Sequence, residues 1–327
     1  MYLRPRALIR GFLYGAAFAG MAMPLWAVTL PMPERPEDSL IGDYPHKATY
    51  ATAKQEDTLL DIAREYDIGQ NEIILANPGV DRWLPGAGTQ VRIPTSRLLP
   101  NTPHEGLVLN LPEFRLYYYR KASKNQPATV TTHPISIGRV DWNTPLGKTY
   151  ISAKTENPVW IPPQSIKEEH AADGEILPDV YPAGPDNPLG LFALRLAIPG
   201  YLIHSTNKPF GVGMRVSHGC IRMYPEDIEK LYPEIKVKTP VYIVNQPIKV
   251  GWFNDTLYIE VYPDLEDDAR TYEQRLEAAL DLIEQANNGK IPVLNGAKLR
   301  SALEKSDGIP VAIFERPFET EEFEFEP

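Results

Sequence analysis

Cys220 is the single cysteine of this chain and lies in the run Ser217-His218-Gly219-Cys220-Ile221-Arg222. One cysteine cannot close an internal disulfide, so in an exported protein its thiol is either buried and idle or reactive. The neighbours favour reactivity, because they supply a flexible glycine, base-capable imidazoles and a cation. A free thiol ionises near about 8.5, so a nucleophilic sulfur needs a base to take its proton. His218 stands two residues before Cys220, on the same face if the segment is extended. His204 ends the apolar run Tyr201-Leu202-Ile203-His204-Ser205, which reads as a neighbouring strand. A base delivered from an adjacent strand can meet the sulfur squarely, so His204 is the expected base and His218 tunes the site. Gly219 lets the backbone turn sharply and leaves room for a substrate carbonyl. Backbone N–H groups of Gly219 and Cys220 can hold a tetrahedral oxyanion. The donor fork of Arg222 can hold a carboxylate. Together these groups fit acyl transfer through a thioester. Two other readings compete: an inert buried thiol among structural histidines, and a zinc site of His204, His218 and Cys220. The zinc set lacks an obvious fourth ligand and the usual paired spacing.

The elements that must position these residues form two units. Tyr50-Ala51-Thr52 reads as a strand, and Asp57 as the cap of a helix carrying Leu59, Ile62, Ala63 and Tyr66. Asn71 is the expected cap of a second short helix, stopped at Asn77-Pro78-Gly79, and Val91-Arg92-Ile93 closes the unit as a strand. From Gly106 to Val244 the pattern is β-rich. Leu107–Asn110 and Arg115–Tyr119 read as a hairpin, with further strands at Pro134–Gly138, Tyr150–Ser152 and Val241–Val244. Asn157 to Asn187 is dense in proline and reads as a long loop over a site. Pro225 opens a short helix with Ile228, Leu231 and Tyr232. Beyond residue 246, Leu257–Tyr262 suggests an added strand. Arg275–Ala286 suggests a helix turning Leu276, Ala279, Leu280 and Ile283 inward.

A length of 327 residues implies two or three units. The net charge of −10 argues against nucleic acid as a partner, since binding there depends on Lys and Arg neutralising phosphates. Pro (33) outnumbers Gly (22), which suggests ordered, non-helical connections. Residues 1–27 read as a secretory signal: Arg4, Arg6 and Arg10 lead a short apolar run that Pro24 closes before Ala27. That run is shorter than the roughly 20 residues a spanning helix needs. The expected division is a signal at 1–27, a linker at 28–48, a small module at 49–95 and a catalytic domain at 105–245. A C-terminal extension at 246–315 and an acidic disordered tail at 316–327 complete it.

The small module resembles a LysM domain through Asp57-Thr58-Leu59-Leu60-Asp61-Ile62-Ala63, Asn77-Pro78-Gly79-Val80-Asp81, Leu84-Pro85-Gly86 and Arg92-Ile93-Pro94. LysM modules bind glycans containing N-acetylglucosamine, which places candidate contacts at Asp57, Thr58, Asn77 and Gly79. Caps and turns account for the same residue types. The β-rich region resembles the L,D-transpeptidase family (YkuD catalytic domain), in its LysM-bearing ErfK/YbiS branch. The resemblance rests on Gly138-Arg139, Thr144-Pro145-Leu146-Gly147-Lys148, Asn157-Pro158-Val159-Trp160-Ile161-Pro162-Pro163 and Gly184-Pro185-Asp186-Asn187-Pro188-Leu189-Gly190. It continues through Ile203-His204 to Ser217-His218-Gly219-Cys220-Ile221-Arg222-Met223. Ser205 departs from a common Gly, at a position that serves through its carbonyl.

The resemblance implies an α+β, mainly β fold: a small βααβ LysM module, then a β-rich sandwich-like catalytic domain. It implies that Cys220 attacks the diamino-acid carbonyl of a peptidoglycan tetrapeptide stem, with D-Ala leaving on a proton from His204. Ser205, Ser217, His218 and Gly219 would support the base and the oxyanion, and Arg222 would position a carboxylate. The acceptor amine would belong to another stem or to the lysine of an outer-membrane lipoprotein. The expected compartment is the periplasm, the sulfur is an expected target of carbapenems, and no metal or cofactor is required. Two alternatives are an L,D-carboxypeptidase or lipoprotein–peptidoglycan amidase on the same scaffold, and a non-enzymatic wall-binding protein.

Overall fold

The computed structural model describes residues 29–43 and 48–317. The expected signal at 1–27 lies outside them, as does all but the first two residues of the expected tail. Described helices include none long and apolar enough to cross a membrane.

Chain order begins with β1 (Thr29–Pro31) and β2 (Leu40–Ile41), followed by a βααβ unit. That unit comprises β3 (Thr49–Thr52), α1 (Leu59–Glu65), α2 (Gln70–Ala76) and β4 (Gln90–Ile93), with β3 and β4 antiparallel. Leu59, Ile62, Ala63 and Ile73 fill its core. Thr58, one residue after the expected cap, starts α1: it accepts from the Asp61 N–H while the Asp61 side chain accepts from the Thr58 N–H. Asp57 instead accepts from the Lys54 N–H. The second helix starts at Gly69, two residues before the expected Asn71. Reciprocal capping decides the first case, and the Glu72 carboxylate reaching back to Gly69 decides the second.

The stretch expected as a linker at 28–48 is partly woven into the fold. β1 pairs with a strand one hundred residues away, and β2 pairs with β5 (Arg97–Leu98), burying Leu40 and Ile41. These partners are distant in sequence, so local composition gives no sign of them.

The β-rich region consists of β6 (Gly106–Asn110), β7 (Arg115–Arg120), β8 (Thr129–Gly138), β9 (Gly147–Glu156), α3 (Gln164–Ala172), β10 (Phe192–Leu196) and β11 (Leu202–His204). It continues with β12 (Arg215–Ser217), β13 (Ile221–Met223), α4 (Pro225–Leu231) and β14 (Pro240–Val244). The expected hairpin forms, with Leu109 opposite Leu116. Pairings run β8-β13-β11-β10-β9-β14-β6-β7 and return to β8, so the strands close on themselves. The ten-residue strands β8 and β9 make this closure possible. The first half of β8 pairs with β7 and its second half with β13. β9 likewise divides between β14 and β10. Inside lie side chains two residues apart: Leu107 and Leu109, Ile135 and Ile137, Ile221 and Met223, Val241 and Ile243. Each buried Leu or Ile there contributes roughly 1.5–3 kcal/mol.

Two elements differ from expectation. Within the proline-dense loop, α3 forms directly after Pro163; only Ile166 on it is buried, so no apolar stripe announces it. The C-terminal extension is a packed unit: β15 (Ile248–Phe253), β16 (Thr256–Val261) and β17 (Val311–Glu315) form an antiparallel sheet. Against it lie α5 (Tyr272–Ala286) and α6 (Gly296–Lys305). The inward residues of α5 are as expected, with Ala279 and Ile283 buried.

Candidate active site

Cys220 occupies the turn between β12 and β13. Gly219 before it has φ +96°, and a Cβ there would lie 2.7 Å from Tyr201 Cε1, so both backbone and space require glycine. The turn is fixed by hydroxyls. Ser217 Oγ donates to the Cys220 carbonyl at 2.5 Å, and Thr144 Oγ1 donates to the Gly219 carbonyl at 2.9 Å. The sulfur is half-buried and lies 3.6 Å from the Gly200 carbonyl, at the start of β11. Burial pushes its pKa up; the Leu202 N–H and the Arg222 guanidinium act in the opposite direction. The resting group is therefore a thiol that needs a base as it attacks.

β11 and β13 run parallel, with Ile203 beside Ile221 and His204 beside Arg222. The histidine and the cysteine thus come to one cavity of about 600 Å³ from adjacent strands. His204 is buried, and its Nδ1 lies 2.5 Å from the Ser205 carbonyl. A carbonyl only accepts, so Nδ1 carries the proton and Nε2 keeps a lone pair. Burial, then the Arg222 charge, lower the His204 pKa to about 3, against the carbonyls of Ser205 and Leu189. It stays neutral at physiological pH. Ser205 is itself buried, and a Cβ on Gly190 would come within 2.5 Å of its Cβ, so this carbonyl is held from behind.

His218 takes a different place. Its Nε2 lies 3.2 Å from Glu169 on α3, and its ring meets Trp142 edge-on at 5.1 Å. Burial lowers its pKa despite Glu169. Glu169 is also ion-paired with Arg139, which holds its carboxyl below the usual range. Arg222 reaches the same cavity from β13; its buried Nε has no hydrogen-bond partner among the described residues. Burial lowers the pKa of its guanidinium.

The structure thus gathers Cys220, His204, Ser217, His218 and Arg222 around one cavity, with Gly219 and Ser205 shaping it from behind. It adds residues that the sequence reading did not single out: Glu169 and His170 on α3, Trp142, and the packed rings of Trp160 and Tyr181. The segment Gln164-Ser165-Ile166-Lys167-Glu168-Glu169-His170 after a double proline was the available signal.

The candidate glycan contacts lie in the βααβ unit, away from this cavity. The amide of Asn77 is spent internally: Nδ2 donates to the carbonyls of Ile73 and Arg92, and Oδ1 accepts from the Arg92 N–H. Its side chain ties α2 to β4 rather than facing a ligand. Thr58 caps α1, and Asp57 binds a backbone N–H. Gly79, with φ +89°, has open space where a Cβ would be. Trp83 and Leu84 near it are exposed.

Residues 105–243 match the YkuD family, the L,D-transpeptidase catalytic domain. The chain is 38% identical over 307 residues to the probable L,D-transpeptidase YbiS of Escherichia coli (strain K12), covering 92% of this chain and 97% of that one. Probable L,D-transpeptidase YcfS of the same organism is 38% identical over 312 residues, with coverages of 92% and 93%. Probable L,D-transpeptidase ErfK/SrfK is 38% identical over 295 residues, with coverages of 88% and 91%. At that identity and coverage the chain belongs to the L,D-transpeptidase family and is an enzyme of that class.

Proposed function

We propose that this L,D-transpeptidase is a periplasmic enzyme of peptidoglycan that uses Cys220 as nucleophile and His204 as base. The convergence of Cys220 and His204 on one cavity from adjacent parallel strands, with His204 Nδ1 held 2.5 Å from the Ser205 carbonyl, is the single observation that supports the reading. The sulfur adds to the carbonyl carbon of the stem's diamino acid as its proton passes to His204 Nε2. Backbone N–H groups of the Gly219–Cys220 turn stabilise the oxyanion, in the turn that Ser217 fixes. Collapse breaks the C–N bond, and D-Ala leaves with the proton from His204, which leaves a thioester. An amine from another stem or from a lipoprotein lysine then attacks the thioester and gives its proton to His204, and the thiol is restored. His218, tied to Glu169, keeps α3 over the cavity, and Arg222 meets a substrate carboxylate. The βααβ unit acts as a LysM module, holding glycan along its Asp57–Thr58 and Gly79 loops by backbone and exposed apolar contacts.

Mass spectrometry of disaccharide-tetrapeptide incubated with the enzyme tests this. Cross-linked dimers with loss of D-Ala support transpeptidation, and tripeptides alone would favour the carboxypeptidase. Cys220→Ala is expected to lower turnover by at least about 10³-fold while the protein still sediments with sacculi. Turnover retained in that variant would remove the mechanism.

A further inference from the structure

Where the βααβ unit meets the catalytic strands, three side chains converge that no step of the acyl transfer uses. Asp67 lies between α1 and α2 at φ +55°, His133 on β8, and Asp227 in the first turn of α4. His133 Nδ1 is 3.7 Å from Asp67 Oδ2 and 3.6 Å from Asp227 Oδ1. One donor atom from each residue lies within 4.8 Å of the other two. All three side chains are more than nine-tenths buried. Asp67 Oδ1, His133 Nδ1 and Asp227 Oδ2 have no hydrogen-bond partner among the described residues.

We propose that Asp67, His133 and Asp227 form a binding site for a divalent transition-metal ion of the zinc type, which pins the βααβ unit to the catalytic strands. Separations of 3.6 and 3.7 Å are too long for hydrogen bonds. They are close to the spacing of neighbouring ligands around tetrahedral zinc, where bonds of about 2.0–2.2 Å set donors about 3.3–3.6 Å apart. One imidazole and two carboxylates are an ordinary zinc set, with a water as fourth ligand. A proton shared by the two carboxylates is the competing arrangement, and it leaves His133 Nδ1 without a partner. Four carboxylates (Asp67, Glu72, Glu226 and Asp227) meet three guanidiniums (Arg64, Arg97 and Arg115) among the described residues of this seam, which favours a further cation. An adjoining cavity of about 290 Å³ reaches Asp67 and Asp227 and is rimmed by Asp61, Glu65 and Glu226 together with Arg64, which is paired with Glu226.

The test uses the full chain, stripped with a chelator and titrated with Zn²⁺ by calorimetry. One ion per chain with Kd below about 1 μM is expected, together with a rise in Tm. Asp227→Asn and His133→Gln should each weaken binding by more than about 100-fold, and Cys220→Ser should leave it unchanged. No binding, or binding that disappears with Cys220→Ser, overturns the site. If the seam variants fail to fold, Co²⁺ added to the unaltered chain decides the matter. Tetrahedral absorption without a thiolate charge-transfer band supports the three-residue site, and a thiolate band or an octahedral spectrum overturns it.

Discussion

At the seam with the βααβ unit, one carboxylate serves two guanidiniums: Glu72 meets Arg97 at 3.1 Å and Arg115 at 2.6 Å. At the seam with the C-terminal unit, one ammonium serves two carboxylates: Lys249 meets Glu113 at 2.8 Å and Glu260 at 3.1 Å. All six groups are buried. Burial alone would raise the Glu72 pKa, but Arg115 and Arg97 hold it below the usual range. Burial raises Glu260 to about 7, with Glu113 adding to the rise and Lys249 opposing it. Arginine does not give up its proton in proteins, whereas a surplus carboxylate can take one. The Glu72 cluster is therefore fixed in charge across physiological pH, and the Lys249 cluster can relax by protonation.

Glu72→Gln should have the largest effect, because it removes the one carboxylate to which two buried guanidiniums are paired. A loss of about 3–5 kcal/mol by chemical denaturation is expected, and lowering the pH should not restore it. Lys249→Met should cost about 2–4 kcal/mol near pH 7.5 and clearly less at pH 5, where Glu260 holds a proton. Equal losses at the two pH values would break the contrast between the seams. The third effect appears in the unaltered chain. Glu260 titrates higher folded than unfolded, so its proton adds stability that is complete below about 4.5 and lost as pH rises through about 7. Glu260→Gln should remove that slope, on the order of 3 kcal/mol across the window. Smallest is Arg64→Ala at the rim of the first seam, where the pair with Glu226 is partly exposed. Less than about 1 kcal/mol is expected there.

What could be read in advance follows the same distinction between local and distant contacts. The cysteine turn is a contiguous run whose residue types suggest a chemistry, so Cys220 and Gly219 could be nominated before any geometry was available, and His204 from the apolar run upstream that the structure brings to the same cavity. The βααβ unit and the hairpin at Leu107–Tyr119 were legible because their partners lie close in sequence. Neither seam was legible. Glu72 lies 43 residues from Arg115, and Lys249 lies 136 from Glu113, so each charge looks like an ordinary surface residue. The cap of α1 was misplaced by one residue because Asp57 and Thr58 are both good caps, and only the return bond from Asp61 decides between them. Helix α3 was hidden because Ile166 is its only buried side chain, while Glu169 and His170 face the cavity.

The closure of β8 through β13 and back has a consequence for substrate recognition. Along the closed row each strand is flanked by neighbours on the path, and the strands that end the sheet among the described residues, β1 and β12, both lie on β8, so room for an incoming peptide to lie down as one more strand is confined to short stretches. At the cavity itself an acyl donor meets side chains and the turn of Gly219 and Cys220 rather than a long strand edge. Selectivity then becomes a matter of which groups project there, and exchanging a few of them should retune the enzyme without disturbing its frame.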